Sequence, residues 1–300
     1  MKRIKLSASD GSNISVNVWD GVLLNKVGGV YISHGMAEHP DRYDRLAKKL
    51  NSLGYIVLAD DHRGHRLSAA GKNGQVEGDS FNQTVEDMRM IIDYMKRTYG
   101  VKVALLGHSY GSFLAQAYLE RYSSTIQGAI LSGTAYMKSP LLAMGYLIAS
   151  VQKLFLGGKK TGNLINTLSF GSYGKPFKSQ GQQFAWLSRD KQEVDKYEKD
   201  PDCGYAMSIG FFHSFFKGIL SMYGKNVNNI KKELPILIAV GSDDPVSRQS
   251  KDAKKLYDYY KKAGLNAELK IYPGARHEIL NETNREEVSA DMIAFINKLF

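Results

Sequence analysis

Short apolar runs alternate with amphipathic stretches of helical length along most of the chain. The first segments alternate apolar and polar residues around Asp10-Gly11-Ser12, which predicts an antiparallel hairpin. Nearly continuous apolar runs follow, and such runs are typical of parallel strands buried on both faces. They occupy residues 30–32, 55–59, 103–106, 129–131 and 236–240, and a last strand is predicted at 268–272.

Helical patterns separate these runs, at 45–53, 84–99, 110–122, 250–263 and 285–300. Strand alternating with helix requires right-handed crossovers between parallel strands. We therefore predict an α/β fold with a doubly wound, mostly parallel sheet. Its ligands should bind beyond the carboxyl ends of the strands.

The alternation breaks between residues 136 and 233, a stretch too long for a loop. We predict an inserted, mainly helical cap at 136–233, with helices near 141–155 and 209–222. The core then consists of residues 1–135 and 234–300. Most of the cap's Phe, Leu, Met and Tyr residues should form its own core, but a cap above the strand ends also supplies an apolar pocket wall.

Composition adds few restrictions. Of the 300 residues, 43% are apolar and 23% charged, as in ordinary globular proteins. The longest apolar stretch of the cap, 140–151, is too short and too glycine-interrupted to cross a bilayer, so we expect a buried or interfacial helix.

The formal charge of +10 comes with lysine pairs spread along the chain. We expect solvated surface and no nucleic-acid binding, because no concentrated basic arm or aromatic-basic module is present. Transient contact with an anionic membrane surface is the alternative for this charge. No pattern indicates an oligomeric state.

The N-terminal residues 1–7 carry positive charges without the apolar core of a signal peptide, so we expect a cytoplasmic protein. Cys203 is the only cysteine, which excludes an internal disulfide and a cysteine-based zinc site. We predict neither a metal nor a cofactor. A metal site built from Asp60, Asp61, His62 and His65 is the minor alternative.

The pentapeptide Gly107-His108-Ser109-Tyr110-Gly111 lies between a predicted strand and a predicted helix. Such a turn forces its serine into a strained backbone conformation and exposes the hydroxyl at the sheet edge. Ser109 is therefore the candidate nucleophile. The side chain of His108 should point away from the site.

A serine hydroxyl needs a base, and the base needs an acid to hold its tautomer. In a strand-based site the chain order is serine, acid, histidine. Asp244 and His277 satisfy this order on loops that follow predicted strands, and Asp243 is the rival acid. The oxyanion should be bound by the backbone N–H groups of Met36 and Tyr110.

These motifs resemble the α/β-hydrolases, and within them the monoacylglycerol lipase and lysophospholipase group of the serine aminopeptidase-type hydrolases. The resemblance covers nearly the whole chain. Its landmarks are 33–39 (SHGMAEH) with Arg42 and Tyr43, 61–65 (DHRGH), 107–111 (GHSYG), 241–246 (GSDDPV) and 272–278 (YPGARHE), and the cap adds 186–190 (WLSRD) and 200–204 (DPDCG).

The resemblance implies an α/β-hydrolase fold and a triad of Ser109, Asp244 and His277. It also implies a substrate, an acyl ester such as a monoacylglycerol or a lysophospholipid. One departure is visible, because Arg66 replaces the family's usual glycine and could change the loop or the charge at the pocket mouth. Small aryl or alkyl esters, peptides or amides, and a binding module without turnover stay as alternatives.

Overall fold

The computed structural model describes residues 1–21 and 25–300. Its described strands form one eight-stranded sheet in the order β1-β2-β4-β3-β5-β6-β7-β8. At one edge, β1 pairs antiparallel with β2 and β2 pairs antiparallel with β4, whereas β3 to β8 are all parallel to one another. The strands are β1 (Lys2–Ser7), β2 (Asn13–Trp19), β3 (Gly28–Ser33), β4 (Tyr55–Asp60), β5 (Val103–His108), β6 (Ala129–Ser132), β7 (Ile236–Gly241) and β8 (Ala267–Tyr272).

Strands β3 to β7 are buried along their whole lengths, which explains their nearly continuous apolar sequences. Two apolar clusters cover the two faces of the sheet, one around Leu105 and Phe113 and one around Leu106 and Ile130. The α/β-hydrolase fold expected from the sequence is confirmed by these strands, helices and their order.

Helices α1 (Asp44–Ser52), α2 (Ser80–Tyr99), α3 (Tyr110–Tyr122), α8 (Lys251–Lys262) and α9 (Arg285–Asn297) pack on the sheet. Helix α2 begins one turn earlier than its pattern indicated. The reason is tertiary: the Phe81 amide donates to the hydroxyl of Ser214 in the cap, and the buried Phe81 ring lies against Gly218.

Between β6 and β7 the chain forms α4 (Pro140–Leu156), α5 (Asn163–Phe170), α6 (Lys191–Lys199) and α7 (Ile209–Ser221). Helices α5 and α6 were not among the helices predicted from the sequence. Helix α6 does have a local signal, because the Asp190 carboxylate accepts from the first-turn amides of Gln192 and Glu193. Helix α5 has only eight residues, and its Asn166 is held by the backbone of Met207.

The chain from β6 to α7 contains two segments that differ in their contacts. We call residues 138–174 the outer cap segment and residues 175–204 the inner cap segment. Helix α4 of the outer segment buries Leu142 and Ala149 but leaves Leu154 79% exposed and Phe155 78% exposed. The inner segment packs on the loops at the carboxyl ends of the strands.

None of the helices in residues 1–21 and 25–300 combines the length and apolarity needed to span a membrane. The longest, α2, has 20 residues but contains charged side chains on its exposed face.

Candidate active site

The turn between β5 and α3 places Ser109 at the carboxyl edge of the sheet. Its φ of 52° and ψ of −118° lie outside the backbone regions that residues other than glycine normally adopt. The glycines around it are sterically required, because a Cβ at Gly111 would clash with the carbonyl of Ser33, and one at Gly107 would clash with Gly111. The strained turn therefore holds the serine hydroxyl away from the sheet.

The structure brings three of the predicted residues into one hydrogen-bonded chain. The Ser109 Oγ lies 2.8 Å from Nε2 of His277. The other ring nitrogen, Nδ1, lies 3.0 Å from Oδ1 of Asp244. Both Asp244 and His277 are buried, so solvent does not compete for these hydrogen bonds.

The rival acid, Asp243, has a different environment. Its side chain is exposed and accepts a hydrogen bond from the neighbouring Ser242 hydroxyl. Asp244, by contrast, is buried and also accepts the Val246 amide. Only Asp244 faces the histidine ring.

Two opposing effects act on the pKa of His277. Burial lowers it, because the charged imidazolium loses its hydration. The negative charge and the hydrogen bond of Asp244, together with the charges of Glu278 and Glu38, outweigh burial, so the net pKa of His277 lies above its ordinary value. A histidine in this environment can accept a proton from Ser109 and hold it beside a carboxylate.

The expectation that His108 points away from the site is wrong. Its ring centroid lies 5.0 Å from that of His277, and its Nδ1 lies 3.2 Å from the hydroxyl of Ser132 at the end of β6. As the last residue of β5, His108 extends towards the neighbouring strand end, where the loop carrying His277 packs on it. Burial, and then the charge of His277, lower the pKa of His108 to about 4.

Met36 and Tyr110, the predicted oxyanion donors, both line the cavity beside Ser109. The loop after β3 is held at the following residue, Ala37, which has a φ of 54°. The Ala37 amide donates to Nε2 of His65 at 3.1 Å, and the Ala37 carbonyl accepts from the Tyr197 hydroxyl at 3.0 Å and the Gly204 amide at 2.9 Å. Burial lowers the pKa of His65 to about 3, so this ring stays neutral and can accept.

A buried charge network, to which the sequence analysis gave no role, lies next to this loop. Arg42 donates to both carboxylate oxygens of Glu278 at 2.6 Å and to Glu38 at 2.6 Å. Its guanidinium lies 4.8 Å from the centre of the Tyr197 ring. Burial opposes ionisation of Glu278, but Arg42 outweighs it and lowers the pKa of Glu278 to about 2. The signal in the sequence was the charged pair Glu38 and Arg42 directly after a buried strand.

A cavity of about 430 Å³ opens above Ser109, large enough for a small lipid. One part of its wall is aromatic and apolar, with Phe113 from α3 and Phe212, Phe215 and Phe216 from α7. Another part is polar and includes Glu38, Glu278, Tyr197 and Tyr205. The cavity thus has two chemically different walls.

Three of the four residues of the metal alternative have protein partners, whereas neither carboxylate oxygen of the buried Asp61 has a hydrogen-bond partner among the residues that the structure describes. Asp60 accepts from the Tyr31 hydroxyl and contacts Nδ1 of His62, whose Nε2 faces Ser33, and His65 accepts from Ala37. Within the described residues, the only donor group of metal-binding composition is His39, Asp200 and Cys203, whose donor atoms lie within 4.8 Å of one another. There the Arg66 guanidinium lies 3.4 Å from Nδ1 of His39, which disfavours a cation.

Arg66 itself adopts a φ of 42°, a conformation that suits the glycine usual at this position. It does not line the cavity mouth. Its guanidinium pairs with Asp41 of the core at 2.8 Å and with Asp202 of the inner cap segment at 3.2 Å. The departure from the family pattern therefore adds an ionic link between core and cap.

A mostly parallel sheet with a strained serine turn after β5 and with an acid and a histidine on later strand ends defines an α/β-hydrolase. Residues 25–284 match the family model described as serine aminopeptidase, S33, and the chain belongs to this family. The chain is thus an enzyme of the lipase and esterase class.

Individual relatives agree with this assignment. A monoglyceride lipase homolog of Monkeypox virus is 31% identical over 267 residues, which cover 87% of this chain and 85% of the relative. The monoglyceride lipase of Homo sapiens is 31% identical over 84% of this chain and 76% of its own. A carboxyl esterase structure from Bacillus coagulans in complex with glycerol has the same fold, with a TM-score of 0.92, 24% identity and coverage of 99% and 98% of the two chains.

Proposed function

We propose that the enzyme hydrolyses monoacylglycerols, with Ser109 as nucleophile, His277 as general base and Asp244 as the orienting acid. The observation that supports this most is the cavity above Ser109, because its aromatic wall suits an acyl chain and its polar wall suits a glycerol headgroup.

In the proposed reaction, the Ser109 oxygen attacks the ester carbonyl carbon while Nε2 of His277 takes the serine proton. The N–H groups of Met36 and Tyr110 bind the oxyanion that forms. His277 then gives the proton to the leaving glycerol oxygen, which breaks the ester bond and leaves an acyl group on Ser109. Water, activated by His277, releases the fatty acid and restores the serine.

The charges of the polar wall favour a neutral headgroup over a phosphate ester. Glu38 and Glu278 contribute two negative charges, and Arg42 balances only one of them. Glycerol hydroxyls can donate hydrogen bonds to these carboxylates. An anionic lysophospholipid such as lysophosphatidylglycerol would bring a net negative charge, which these carboxylates repel. We therefore place monoacylglycerols ahead of anionic lysophospholipids.

The test compares wild-type enzyme with Ser109→Ala on monooleoylglycerol, lysophosphatidylcholine, p-nitrophenyl acetate and an aminoacyl p-nitroanilide. We expect turnover of monooleoylglycerol that Ser109→Ala abolishes, and labelling of Ser109 by a fluorophosphonate. The control Ser52→Ala, which removes an exposed hydroxyl at the end of α1, should keep the wild-type turnover and labelling. Cleavage of the acetate or the anilide alone would contradict the lipid assignment, and an unlabelled Ser109 would indicate a binding module.

We also propose that the outer cap segment docks on an anionic membrane surface, where an acylglycerol substrate resides. Its exposed apolar side chains form a continuous helical face that includes Leu141, Leu147 and Leu154. The chain has no Asp or Glu between residues 121 and 189, and it has lysines at 138, 153, 159, 160, 175 and 178. Exposed apolar side chains on a stretch that carries lysines and no acidic residues complement an anionic interface.

Flotation with vesicles tests this docking. Wild-type protein should float with phosphatidylglycerol-containing vesicles more than with phosphatidylcholine vesicles, and Leu147→Asp/Leu154→Asp should not float. Leu53→Asp, on the exposed surface of the core, is the matched control and should float normally. Equal flotation of all three variants, or a dimer that the double substitution dissociates, would contradict membrane docking.

For location we propose the cytoplasm, where the single thiol, buried Cys203, remains reduced. Burial raises the pKa of this thiol, which keeps it unreactive. Fractionation of cells that express the chain tests the location, and recovery from the extracellular medium would contradict it.

A further inference from the structure

The inner cap segment is hydrogen-bonded to the loop that carries the catalytic histidine. Arg276, directly before His277, is buried and donates from Nη1 to the Ala185 carbonyl at 2.6 Å and the Ser188 carbonyl at 2.9 Å. Directly after the histidine, the Glu278 amide donates to the Leu187 carbonyl at 2.8 Å. Residues on both sides of His277 are therefore attached to the same short stretch of the cap.

Further contacts continue this attachment along the chain. The Ser188 hydroxyl donates to the Asn281 carbonyl at 2.8 Å. The fully buried carboxylate of Glu282 accepts from the Arg189 amide and side chain and also from the Arg276 amide. A buried carboxylate with several charge-assisted donors is a strong local constraint.

One side chain of this stretch contacts the catalytic ring itself. The indole of Trp186 lies 5.3 Å from the His277 ring, centroid to centroid, with 36° between the planes. The indole is held in turn by the edge of the Tyr173 ring at 5.2 Å and by the backbone contacts of Ala185 and Leu187. Its face is thus available to an imidazolium, which a tryptophan ring attracts at distances below about 6 Å.

We infer that Trp186 is a positioning residue for catalysis: it holds the imidazole of His277 and stabilises its protonated form during turnover. The inference rests on the proposed roles of Ser109 and His277. The cap then contributes to catalysis as well as to the pocket wall, because residues 185–189, which are hydrogen-bonded to the His277 loop, position the indole against the imidazole.

Other charged groups also act on the His277 ring, and Trp186 adds to them. Those that face it or lie close to it are Asp244, Glu278, Glu38, His108, Arg42 and Arg276. Within residues 1–21 and 25–300, the rings that contact the indole are those of His277 and Tyr173, and no cation–π contact involves it. We therefore expect a change at Trp186 to leave these charged groups in place. The effect of the indole can therefore be measured separately.

The experiment measures kcat, KM and the pH profile of kcat/KM on p-nitrophenyl butyrate for Trp186→Leu and Trp186→Phe. We expect Trp186→Leu to lower kcat about three- to thirty-fold, with a smaller change in KM. Its acid limb should shift down by roughly half a pH unit, because the imidazolium loses a stabilising contact. Trp186→Phe should restore most of both properties, since it keeps an aromatic face.

The matched control is Phe170→Leu, which also removes a ring from the cavity wall but has no ring contact with His277. It should change KM without moving the acid limb. A wild-type kcat and acid limb in Trp186→Leu, a pure KM effect, or failure of Trp186→Phe to rescue would each overturn the inference. Thermal unfolding of each variant identifies loss of fold, and Trp186→Phe then decides the outcome.

The Ser109→Ala variant, measured in parallel, distinguishes a failure of the proposed function from a failure of the role proposed for Trp186. If Ser109→Ala retains activity, the proposed function fails. If it is inactive while Trp186→Leu has wild-type kinetics and pH profile, the proposed function stands and the role of Trp186 is wrong.

Discussion

The inner and outer cap segments belong to one insertion, yet they make opposite kinds of contact. The inner segment is attached by buried polar hydrogen bonds to the loops that carry His277 and Met36. The outer segment makes backbone contacts to α7 and its flanks, such as the Gly162 amide to Met207, and exposes the apolar face of α4 to solvent. The difference indicates that a cap can be divided between catalytic support and surface recognition.

Buried polar contacts explain how the inner cap segment holds the loops that carry His277 and Met36. A buried arginine or carboxylate needs all its partners in place, so such a group defines one geometry. Apolar contacts on an exposed face define no geometry but provide area for a lipid surface. We therefore expect substitutions in the inner segment to change catalysis and stability, and substitutions on the exposed face of α4 in the outer segment to change neither.

Arg276→Met tests the strongest attachment of the inner segment. It removes the donor to the Ala185 and Ser188 carbonyls, and buried acceptors left without partners lower the free energy of unfolding by about 3 kcal/mol. Urea unfolding and kcat should both show the loss. Arg248→Met, an exposed arginine on the core, should stay within about 0.5 kcal/mol of wild type. Equal stability of the two variants would refute the difference between the segments.

The pH profile examines the base that the inner segment holds. The proposed reaction needs neutral His277, whose pKa lies above its ordinary value because Asp244, Glu278 and Glu38 together outweigh burial. Activity should thus fall about tenfold per pH unit below that pKa, with an acid limb above the pH of about 6.5 typical of a free histidine. The pH dependence of kcat/KM measures this limb.

The contribution of His277 to the free energy of unfolding should fall as pH rises, whereas activity rises with pH. A raised pKa in the folded state means that His277 stabilises the fold fully below the unfolded pKa, and this contribution is lost as pH rises through the folded pKa. Urea unfolding of Ser109→Ala and Ser109→Ala/His277→Gln, measured from below the unfolded-state pKa to above the folded-state pKa of His277, gives this contribution. A difference between the two that grows with pH would contradict the assignment.

Tyr197→Phe tests the second attachment, at the oxyanion loop. The substitution removes the hydroxyl that donates to the Ala37 carbonyl, while the Gly204 amide remains as a donor. One lost hydrogen bond of about 1 kcal/mol predicts a kcat about fivefold lower, with KM nearly unchanged. Tyr122→Phe, on the exposed face of α3, is the control and should be silent. A change in KM alone would indicate a headgroup contact instead.

The smallest effect is expected in the outer segment. Leu154→Ser should change the free energy of unfolding by less than about 0.5 kcal/mol, since its side chain is 79% exposed. Turnover of a water-soluble ester should also stay at the wild-type level. A large loss of stability would show that α4 is buried in the protein in solution, for instance by a second copy of the chain.

Much of the fold could be predicted from the sequence, because the spacing of apolar residues in the core matches the burial of the strands that they form. The apolar runs of β3, β4, β6 and β7 coincide with observed strands within one or two residues. Helix α6 escaped because its polar sequence has few apolar positions, although Asp190 is a readable cap. Helix α5 escaped because its stability comes from contacts with Met207, far away in the chain.

The candidate site divides in the same way. Ser109, Asp244 and His277 were found by motif and chain order, and the structure places them within hydrogen-bonding distance. His108 was misjudged, since the direction of a side chain at a strand end depends on the neighbouring loop. The Arg42 network and the Trp186 contact had no local signal strong enough to assign a role.

The sequence by itself determined the α/β core, the presence of an insertion and the chemical class of the site. These depend on short-range properties: the period of apolar residues, the glycines of a strained turn and the order of functional side chains on successive strand ends. The tertiary structure alone decided that the inner cap segment holds the histidine loop and that α4 presents an apolar face. Such contacts join residues about 90 positions apart, such as Arg276 and Ala185, and no local pattern encodes their distance.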